Sequence, residues 1–406
     1  MKIIVQKFGG TSVKNEELRE LASEHVQDAI NEGNKVVVVV SAMGRKGDPY
    51  ATDTLLDLVE GNKSHVSKRE LDLLAACGET ISSVVFSNLL NKKGIKSLAM
   101  TGAEAGFRTN EDYTNAKILE MKVNNLLNEL ENYDAIVVTG FQGQTPKGTT
   151  ATLGRGGSDT SATALGAALG AEVVDIFTDV EGVMTADPRI VTNAKPLNVV
   201  TYNEICNLAY QGAKVIHPRA VEVAMQAKVP IRIRSTSSKE KGTLITSSIT
   251  DNVGRDVEER LITGIAHVSN VTQIKVFSED GNYDLQSKVF KAMANEGISV
   301  DFINIHPMGV VYTVSDEVAD KAVSILEAIN LKPVILKNCA KVSAVGAGMT
   351  GVPGVTSRIV EALISKNIPI LQSADSHTTI WVLVRGEDMI NAVNALHEMF
   401  LIKSDD

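Results

Sequence analysis

The last third of the chain repeats itself. Residues 287–327, shifted by 70 positions, overlay residues 357–397 without a gap. The apolar stretch Val310–Val314, for example, falls on Ile380–Val384. Each copy reads as helix, strand, strand, helix, with a further strand in front. A register kept through four elements indicates duplication of one supersecondary unit, and we predict two ferredoxin-like βαββαβ modules.

The first two-thirds of the chain alternates strands and helices. Glu16–Asn31 carries apolar residues at helical spacing. Continuous apolar runs typical of strands buried on both faces occur at Val36–Val40, Ala135–Thr139 and Val173–Phe177. We predict an α/β fold with a mostly parallel central sheet sandwiched by helices. The loops at the strand ends are then the expected ligand site.

Charge and cysteine content narrow the classes of partner. The chain has 406 residues and a net charge of −9, which argues against nucleic acid or an anionic membrane. Cys77, Cys206 and Cys339 are widely spaced, so we expect reduced thiols in the cytoplasm and neither a disulfide framework nor a metal site. The first apolar stretch ends at Gln6-Lys7, and Val36–Val40 is too short to span a bilayer, so neither a signal peptide nor a membrane span is expected.

The first glycine-rich element follows the opening strand. Ile3–Val5 runs into Lys7, Phe8, Gly9 and Gly10. Glycines let backbone amides approach a ligand closely, and the lysine adds a compact positive charge. This arrangement suits a phosphate. A Gly-Gly turn with a solvated lysine is the alternative.

The second glycine-rich element, Gly154–Ser161, leads into a helix of small residues. The amides at a helix N-terminus favour anions. Arg155 could add a bidentate grip on a carboxylate or phosphate. A capped helix start is the alternative, but capping does not require Arg-Gly-Gly.

A third element follows the strand that ends at Phe177. It comprises Thr178–Val183 and Thr185–Arg189, where a nucleotide could lie. Lys214 could reach the same nucleotide, and for this residue alone a surface lysine is as good an interpretation.

A fourth glycine pattern is interpreted as a loop. Gly346–Gly351 has the GxGxxG spacing, and Asp375 follows at the distance found in dinucleotide-binding folds. Only 55 residues follow Gly351, too few for such a sheet, and we expect no NAD site.

Together these motifs resemble those of the aspartate kinase family, in the amino-acid kinase superfamily, and its monofunctional members in particular. The resemblance covers the whole chain, and the repeated modules are similar to the tandem ACT domains of that family. The stretches that carry it are Lys7–Ser12, Val40–Gly44, Cys77–Glu79, Gly154–Asp159, Phe177–Gly182, Thr185–Arg189 and Gly212–His217.

The resemblance implies a domain organisation and a reaction. A catalytic domain would span residues 1–245, and two ACT domains residues 262–335 and 336–406. The reaction would use ATP and Mg²⁺ to convert L-aspartate to 4-phospho-L-aspartate, the first step toward lysine, diaminopimelate, threonine and methionine. The acceptor carboxylate is already ionised at neutral pH, so catalysis should consist of positioning and charge stabilisation.

The resemblance also implies residue roles. Lys7 would stabilise the transferring phosphoryl group, and Asp159 would position it. The residues implied to bind aspartate are Ser41, Thr52, Glu79, Arg155, Gly156, Gly157 and Ser158, with Glu79 on the α-ammonium and Arg155 on the α-carboxylate. The residues implied to bind the nucleotide are Lys7, Phe8, Gly9, Gly10, Thr178, Asp179, Met184, Thr185, Ala186, Asp187, Pro188, Arg189 and Lys214.

Regulation by an amino acid is implied by the ACT resemblance. The effector would bind near Gln273–Asp284 and at Val300, Asp301 and Asn304 on the following strand. Lysine or meso-diaminopimelate would be the inhibitor, with threonine as a further candidate. A solvated aspartate at a strand end is the alternative for Asp301. ACT pairs commonly assemble across chains, so a homodimer is expected.

Two other functions stay open on the sequence alone. One is another amino-acid kinase, for glutamate, an N-acetylated amino acid or a nucleotide acceptor. The other is an ACT amino-acid sensor with a vestigial kinase domain. Glu79 favours a substrate with a free α-ammonium, and the intact set Lys7, Arg155 and Asp159 favours an enzyme.

Overall fold

The computed structural model describes residues 1–247, 261–277, 284–349 and 351–401. It divides into two compact units. The first comprises residues 1–183, 196–209 and 214–257, and the second residues 184–195, 210–213 and 258–406. Segments 184–195 and 210–213 thus group with the C-terminal unit, although the predicted catalytic domain includes them. The three domain boundaries stay a prediction.

The first unit is built on an eight-stranded sheet. Its strands are β1 (Ile3–Phe8), β2 (Lys35–Val40), β3 (Ser97–Met100), β6 (Ala135–Thr139), β9 (Val173–Thr178), β10 (Val199–Thr201), β11 (Ile231–Ser235) and β12 (Thr243–Thr246). They lie in the order β10-β12-β11-β9-β1-β2-β6-β3. All neighbours are parallel except β11 and β12. The predicted mostly parallel sheet is confirmed, and the carboxyl ends of β9, β1 and β2 meet at one edge.

Further elements cover this sheet. A four-stranded sheet contains β4 (Phe107–Thr109), β5 (Ile118–Met121), β7 (Gln142–Gln144) and β8 (Thr150–Thr152). The helices are α1 (Glu16–Asn31), α2 (Thr52–Asp57), α3 (Lys68–Lys92), α4 (Asn124–Asn132), α5 (Gly157–Leu169), α6 (Tyr202–Tyr210) and α7 (Pro218–Ala227).

Local sequence sets the ends of the longer helices. Asn15 caps α1 by accepting a hydrogen bond from the Leu18 N–H, and Ser67 with Glu70 forms a capping box at the start of α3. Helix α3 is long and apolar enough by composition to cross a membrane, but half of its most apolar window is buried in the protein. It also carries the buried carboxyls of Asp72 and Glu79. These features are those of a core helix.

The second unit contains a six-stranded sheet with helices. Its elements are β13 (Gly264–Phe277), α8 (Leu285–Asn295), β14 (Asp301–His306), β15 (Gly309–Ser315), α9 (Asp316–Ala328), β16 (Val334–Val345), α10 (Val355–Ser365), β17 (Gln372–Asp375), β18 (Thr379–Arg385) and α11 (Met389–Leu401). The strand order is β14-β15-β13-β16-β18-β17. The predicted repeat of helix, strand, strand, helix is confirmed.

The long strands β13 and β16 are each shared by both modules. Residues 271–277 of β13 pair with β15, whereas residues 264–268 pair with residues 341–345 of β16. The first half of β16 in turn pairs with the second half of β13. Each module therefore takes its fourth strand from the other's long strand. Asn270 and Asn338 have positive φ near the two changes of partner, a conformation that asparagine tolerates better than most residues.

Each module has its own apolar core. Ile274, Val289 and Tyr312 lie in the first, and Ile359, Val382 and Leu396 in the second. The glycine pattern interpreted as a loop begins at Gly346 between β16 and α10, where Ala347–Met349 forms a short 3₁₀ helix. Its Thr350, like residues 278–283 of the predicted effector region, lies outside the described residues.

Candidate active site

An ion pair lies where β1 ends. Lys7 Nζ is 2.7 Å from Asp159 Oδ1, and both side chains are largely buried. Asp159 lies in the first turn of α5, where a carboxylate is favoured by the helix dipole. Its Oδ2 also accepts a long hydrogen bond, 3.4 Å, from the His217 N–H. The structure therefore contains the pair that the family resemblance implied.

The glycine loop after β1 packs against the loop after β2. A Cβ on Gly10 would lie 2.5 Å from the Ala42 oxygen and 2.7 Å from the Gly44 oxygen, so only glycine fits. The Gly44 N–H donates to the Gly10 oxygen. Ser41, the first residue of the second loop, donates its backbone N–H to the Phe8 oxygen. The two loops form one rigid edge beside Lys7.

Phe8 lies in the core. Its ring is fully buried and stacks on Phe177, with ring centroids 4.6 Å apart. The ring is therefore not available to a ligand, and any nucleotide contact of Phe8 would be limited to its backbone.

Glu79 reaches the same edge from α3. One carboxylate oxygen accepts a 3.0 Å hydrogen bond from the Ala42 N–H. The other oxygen is buried and has no partner among the described residues. Burial raises the pKa of Glu79 to about 8, because desolvation disfavours the charged form. An unpaired buried carboxylate oxygen is costly, and a bound ammonium would satisfy it.

The other residues that were predicted to bind the substrate aspartate lie around this edge. Gly156 adopts φ +70° at the start of α5, where a Cβ would collide with the His217 ring. Ser158 faces Gly140 at the end of β6. Thr52 begins α2, which packs on α3. Arg155 is exposed and has no ion-pair partner in the part of the chain that the structure describes, so its guanidinium remains available for an anion.

A polar cavity of about 370 Å³ opens beside the glycine loop of β1. It is lined by Thr11, Ser12, Lys14, Leu18, Arg45, Asp48, Thr178, Asp179, Thr236 and Ser237. Arg45 pairs with Asp179 at 3.2 Å across exposed surface. The predicted nucleotide residues Thr178 and Asp179 therefore lie beside the glycine loop. Lys214 is exposed and does not line this cavity.

The other predicted nucleotide residues, from Met184 to Arg189, belong to the second unit. Thr185 is buried there, with Oγ1 2.9 Å from His397 Nε2, and Ala186 lies in the core of the second module. Asp187 and Arg189 form a bidentate pair. The Arg189 guanidinium lowers the pKa of Asp187. The backbone of Thr185 is also occupied, because its N–H donates to the Lys195 oxygen and its own oxygen accepts from the Ile265 N–H.

The predicted effector residues lie on or beside β14. Val300 packs against the core of the first module. Asp301 pairs with Lys341, and Asn304 accepts a hydrogen bond from Gln372. Both partners come from the second module.

Sequence reasoning missed several residues of this site. Lys14 and Arg45 bring positive charge to the cavity, and His217 contacts Asp159 and packs over Gly156. Arg45 directly follows Gly44 of a recognised motif, and His217 ends another. Their positions in these motifs could have identified Arg45 and His217 from the sequence. The position of Lys14 in the cavity depends on how the chain folds, so no local motif marks it.

Comparison with known proteins agrees with this arrangement. Residues 2–235 match the amino acid kinase family and residues 334–398 match the ACT domain. Aspartokinase 1 of Bacillus subtilis is 68% identical over 400 residues, covering 98% of this chain and 99% of that protein.

Two solved structures of Escherichia coli aspartokinase III are similar over almost the full length. The complex with aspartate and ADP, described as the R-state, has a TM-score of 0.79 and 26% identity, covering 99% of this chain and 100% of that one. The complex with lysine and aspartate, described as the T-state, has a TM-score of 0.76 and 26% identity, covering 98% and 100%.

The parallel sheet, the glycine loops at its edge and the Lys7–Asp159 pair define a kinase of the amino acid kinase class, joined to ACT modules. Within that class, the chain belongs to the aspartokinase family.

Proposed function

We propose that this protein transfers the γ-phosphoryl group of ATP to the β-carboxylate of L-aspartate, giving 4-phospho-L-aspartate and ADP. The product would feed the synthesis of lysine, diaminopimelate, threonine and methionine. The observation that carries the proposal is the 2.7 Å pair of Lys7 and Asp159 between two glycine loops at the carboxyl edge of the sheet.

The chemistry requires charge compensation more than proton transfer. A carboxylate oxygen of aspartate attacks the γ-phosphorus while the bond to the bridging β,γ oxygen breaks, and ADP carries away that electron pair. The attacking group is an anion and so is ATP. A lysine ammonium and backbone amides beside the γ-phosphoryl group would offset the charge in the transition state. The closeness of Lys7 Nζ to Gly9, at 3.4 Å from the position of a Cβ there, supports this role for Lys7, Gly9 and Gly10.

Aspartate would be held by two charged side chains and the residues around them. The unpartnered oxygen of Glu79 would accept the α-ammonium, and Arg155 would bind the α-carboxylate. Ser41, Thr52 and the start of α5 from Gly156 to Ser158 would complete this pocket.

The nucleotide would use the cavity beside Thr178 and Asp179. Lys214 and the segment Met184–Arg189 remain predicted contacts. Among the described residues no group of three or more candidate metal ligands occurs. The Mg²⁺ that ATP brings would be held mainly by phosphate oxygens and water, as is usual for this ion.

We further propose feedback inhibition through the ACT modules, by lysine or meso-diaminopimelate, and assembly as a homodimer. The T-state structure of the E. coli enzyme is a complex with lysine and aspartate, which supports an amino-acid effector. Exposed Ile303 and Ile305 on the edge strand β14 support pairing between chains. The three free thiols fit a cytoplasmic location.

A hydroxamate assay tests the reaction. The protein is incubated with ATP, Mg²⁺ and L-aspartate, and hydroxylamine traps any acyl phosphate while ADP release is measured. L-glutamate replaces aspartate in the control. We expect hydroxamate with aspartate alone, suppressed by lysine or meso-diaminopimelate. Folded protein that gives no aspartyl hydroxamate would contradict the proposal.

A further inference from the structure

Helix α3 carries two buried carboxyls on one face. Asp72 and Glu79 lie two helical turns apart on this helix, so their side chains leave it on the same side, about 10 Å apart along its axis. Both are buried. The proposed reaction gives Glu79 a role on the substrate ammonium, whereas it leaves Asp72 without one.

Asp72 accepts hydrogen bonds from two segments that are distant from α3 in sequence. The Thr114 N–H donates to both carboxylate oxygens, at 3.1 and 3.0 Å. The Thr152 N–H donates to Oδ2 at 2.8 Å, and the Thr152 hydroxyl donates to Oδ1 at 2.6 Å. Burying a carboxylate is costly unless such donors hold it. Asp72 therefore ties segment 114–116 and the end of β8 to α3.

The backbone at Thr114 is held in an unusual conformation. Its φ is +73°, which is rare for a β-branched residue, and such residues persist only where several contacts fix them. A Cβ on Gly154, which has φ +72°, would lie 2.8 Å from Asn115 Oδ1 and 3.1 Å from the Thr114 oxygen. Segment 114–116 thus packs directly against the glycine that precedes Arg155.

The chain between β8 and Arg155 is fastened by further hydrogen bonds. The Ala116 N–H donates to the Thr152 oxygen at 2.8 Å. The Arg219 guanidinium, from α7, donates to the Leu153 oxygen at 2.9 Å and to the Ala116 oxygen at 3.1 Å. The backbone that carries Arg155 is therefore fixed by the same segments that hold Asp72.

We propose that Asp72 is a positioning residue that sets the spacing between Glu79 and Arg155, and so the fit of the α-amino-acid head group. It shares α3 with Glu79, and its bonds to Thr152 hold the chain just before Arg155. This inference rests on the proposed function, in which Glu79 takes the α-ammonium and Arg155 the α-carboxylate.

Spacing matters because the substrate carries both head-group charges on one carbon. The carboxylate and the guanidinium that recognise it must therefore stand at one separation, although they come from different elements. A displacement of about 1 Å can cost a hundredfold in such a site. A ligand with only one of the two head groups can follow whichever protein group it binds. Loss of Asp72 should therefore harm recognition of aspartate and spare one-headed analogues.

Steady-state kinetics of the full chain tests the proposal, with aspartyl hydroxamate quantified by chromatography. We expect Asp72→Ala to raise the aspartate KM by about ten- to a hundredfold and to change the ATP KM less than about twofold. Succinate, which lacks the ammonium, and β-alanine, which lacks the α-carboxylate, serve as competing ligands. Their inhibition constants should also change less than about twofold, whereas general damage to the pocket would weaken all three ligands.

Two milder variants accompany Asp72→Ala. Asp72→Asn keeps an oxygen for the two backbone N–H groups and can donate its amide to the Thr152 hydroxyl, so it should restore most of the aspartate affinity. Thr152→Val removes only the hydroxyl bond and should raise the aspartate KM by a smaller factor, about three- to tenfold. These variants keep the proposal testable if Asp72→Ala does not fold.

Ser87→Ala is the matched control on the same helix. Ser87 is buried and its hydroxyl lies 3.0 Å from that of Ser97, so the variant loses a buried hydrogen bond of α3 far from the Arg155 loop. Its aspartate KM should stay within about twofold of wild type.

Three results would overturn the inference alone, given active wild type. One is an unchanged aspartate KM in folded Asp72→Ala. The second is a parallel weakening of aspartate, succinate and β-alanine, and the third is an equal effect of Ser87→Ala. Wild type that forms no aspartyl hydroxamate would instead overturn the proposed function, and this inference with it.

Discussion

Lys7 and Asp159 form a largely buried ion pair where β1 ends. Lys7→Ala removes the ammonium expected to offset charge in the transition state. We expect kcat to fall by about a hundred- to a thousandfold, as for removal of one preorganised donor, with a smaller change in the KM for aspartate. Steady-state kinetics of the hydroxamate reaction measures both.

Lys35→Ala is the control at the opposite end of the neighbouring strand. Lys35 begins β2 and pairs with Asp134 at 3.2 Å, so its loss should leave kcat within about twofold of wild type. Circular dichroism confirms that both variants fold. Near-normal turnover of Lys7→Ala would remove its proposed role.

The raised pKa of Glu79 predicts that a proton is released when the substrate binds. Its pKa is raised to about 8 by burial, so at pH 7 the free carboxyl is mostly protonated. The substrate ammonium favours the ionised form and lowers the pKa, so binding should release a proton. The release should fade above pH 8, where Glu79 is already ionised. Calorimetry in buffers of different ionisation enthalpy measures it.

Glu79→Gln is the matched variant, because it keeps the shape and removes the titration. It should raise the aspartate KM more than the ATP KM and release no proton. The same pKa has a stability consequence. The pKa of the Glu79 carboxyl is higher in the folded state than in the unfolded state, where it is near 4.5. Its contribution to the stability of the fold is therefore largest below pH 4.5 and is lost as the pH rises to about 8. Equal proton release by both proteins would contradict the assignment.

At the scale of elements, local patterns predicted most of the fold. Helix α1 has the predicted bounds, because its cap and its apolar spacing lie within one stretch of sequence. The β-branched run that predicted β2 is buried in the centre of the sheet. The pairing of Lys7 with Asp159 was implied only by family resemblance, and the hydrogen bond from Ala42 to Glu79 was not predicted at all, since contacts between distant segments leave no local pattern.

The close approach of the two loops predicts that alanine substitutions at Gly9 and Gly10 will lower the stability of the protein by different amounts. A Cβ on Gly10 would meet backbone oxygens at 2.5 and 2.7 Å, whereas one on Gly9 would meet the flexible end of Lys7 at 3.4 Å. Gly10→Ala should lower the free energy of unfolding by about 1–3 kcal/mol. Gly9→Ala should stay close to wild type. Urea denaturation compares them, and equal stability of both variants would contradict the argument.

At the scale of the whole molecule, the repeat predicted two modules but not their exchange of strands. The pairing of residues 264–268 with residues 341–345 joins segments on either side of an entire module. The grouping of segment 184–195 with the second unit is equally non-local. Propensity and periodicity report on neighbours in sequence, so neither feature could be predicted from them.

The proposed assembly of two chains through the edge strand β14 gives a prediction at this scale. Ile305 on β14 is 65% exposed, and a charge on an edge strand opposes pairing with another chain. Ile305→Lys should shift the protein from dimer toward monomer in sedimentation velocity. Leu119→Lys, equally exposed on β5, is the control and should not. A monomeric wild type, or an unchanged dimer in Ile305→Lys, would argue against this edge.

The shared strand β13 also orders events during synthesis. Its first half leaves the ribosome before α8 through α9 are made, and its partner on β16 follows all of them. That half-strand waits without its β16 partner while β14, β15 and the helices of the first module are made, and an unpaired strand edge invites aggregation. We therefore expect translation products that stop before β16 to be protease-sensitive and to need chaperones, whereas the completed chain folds its regulatory half as one body.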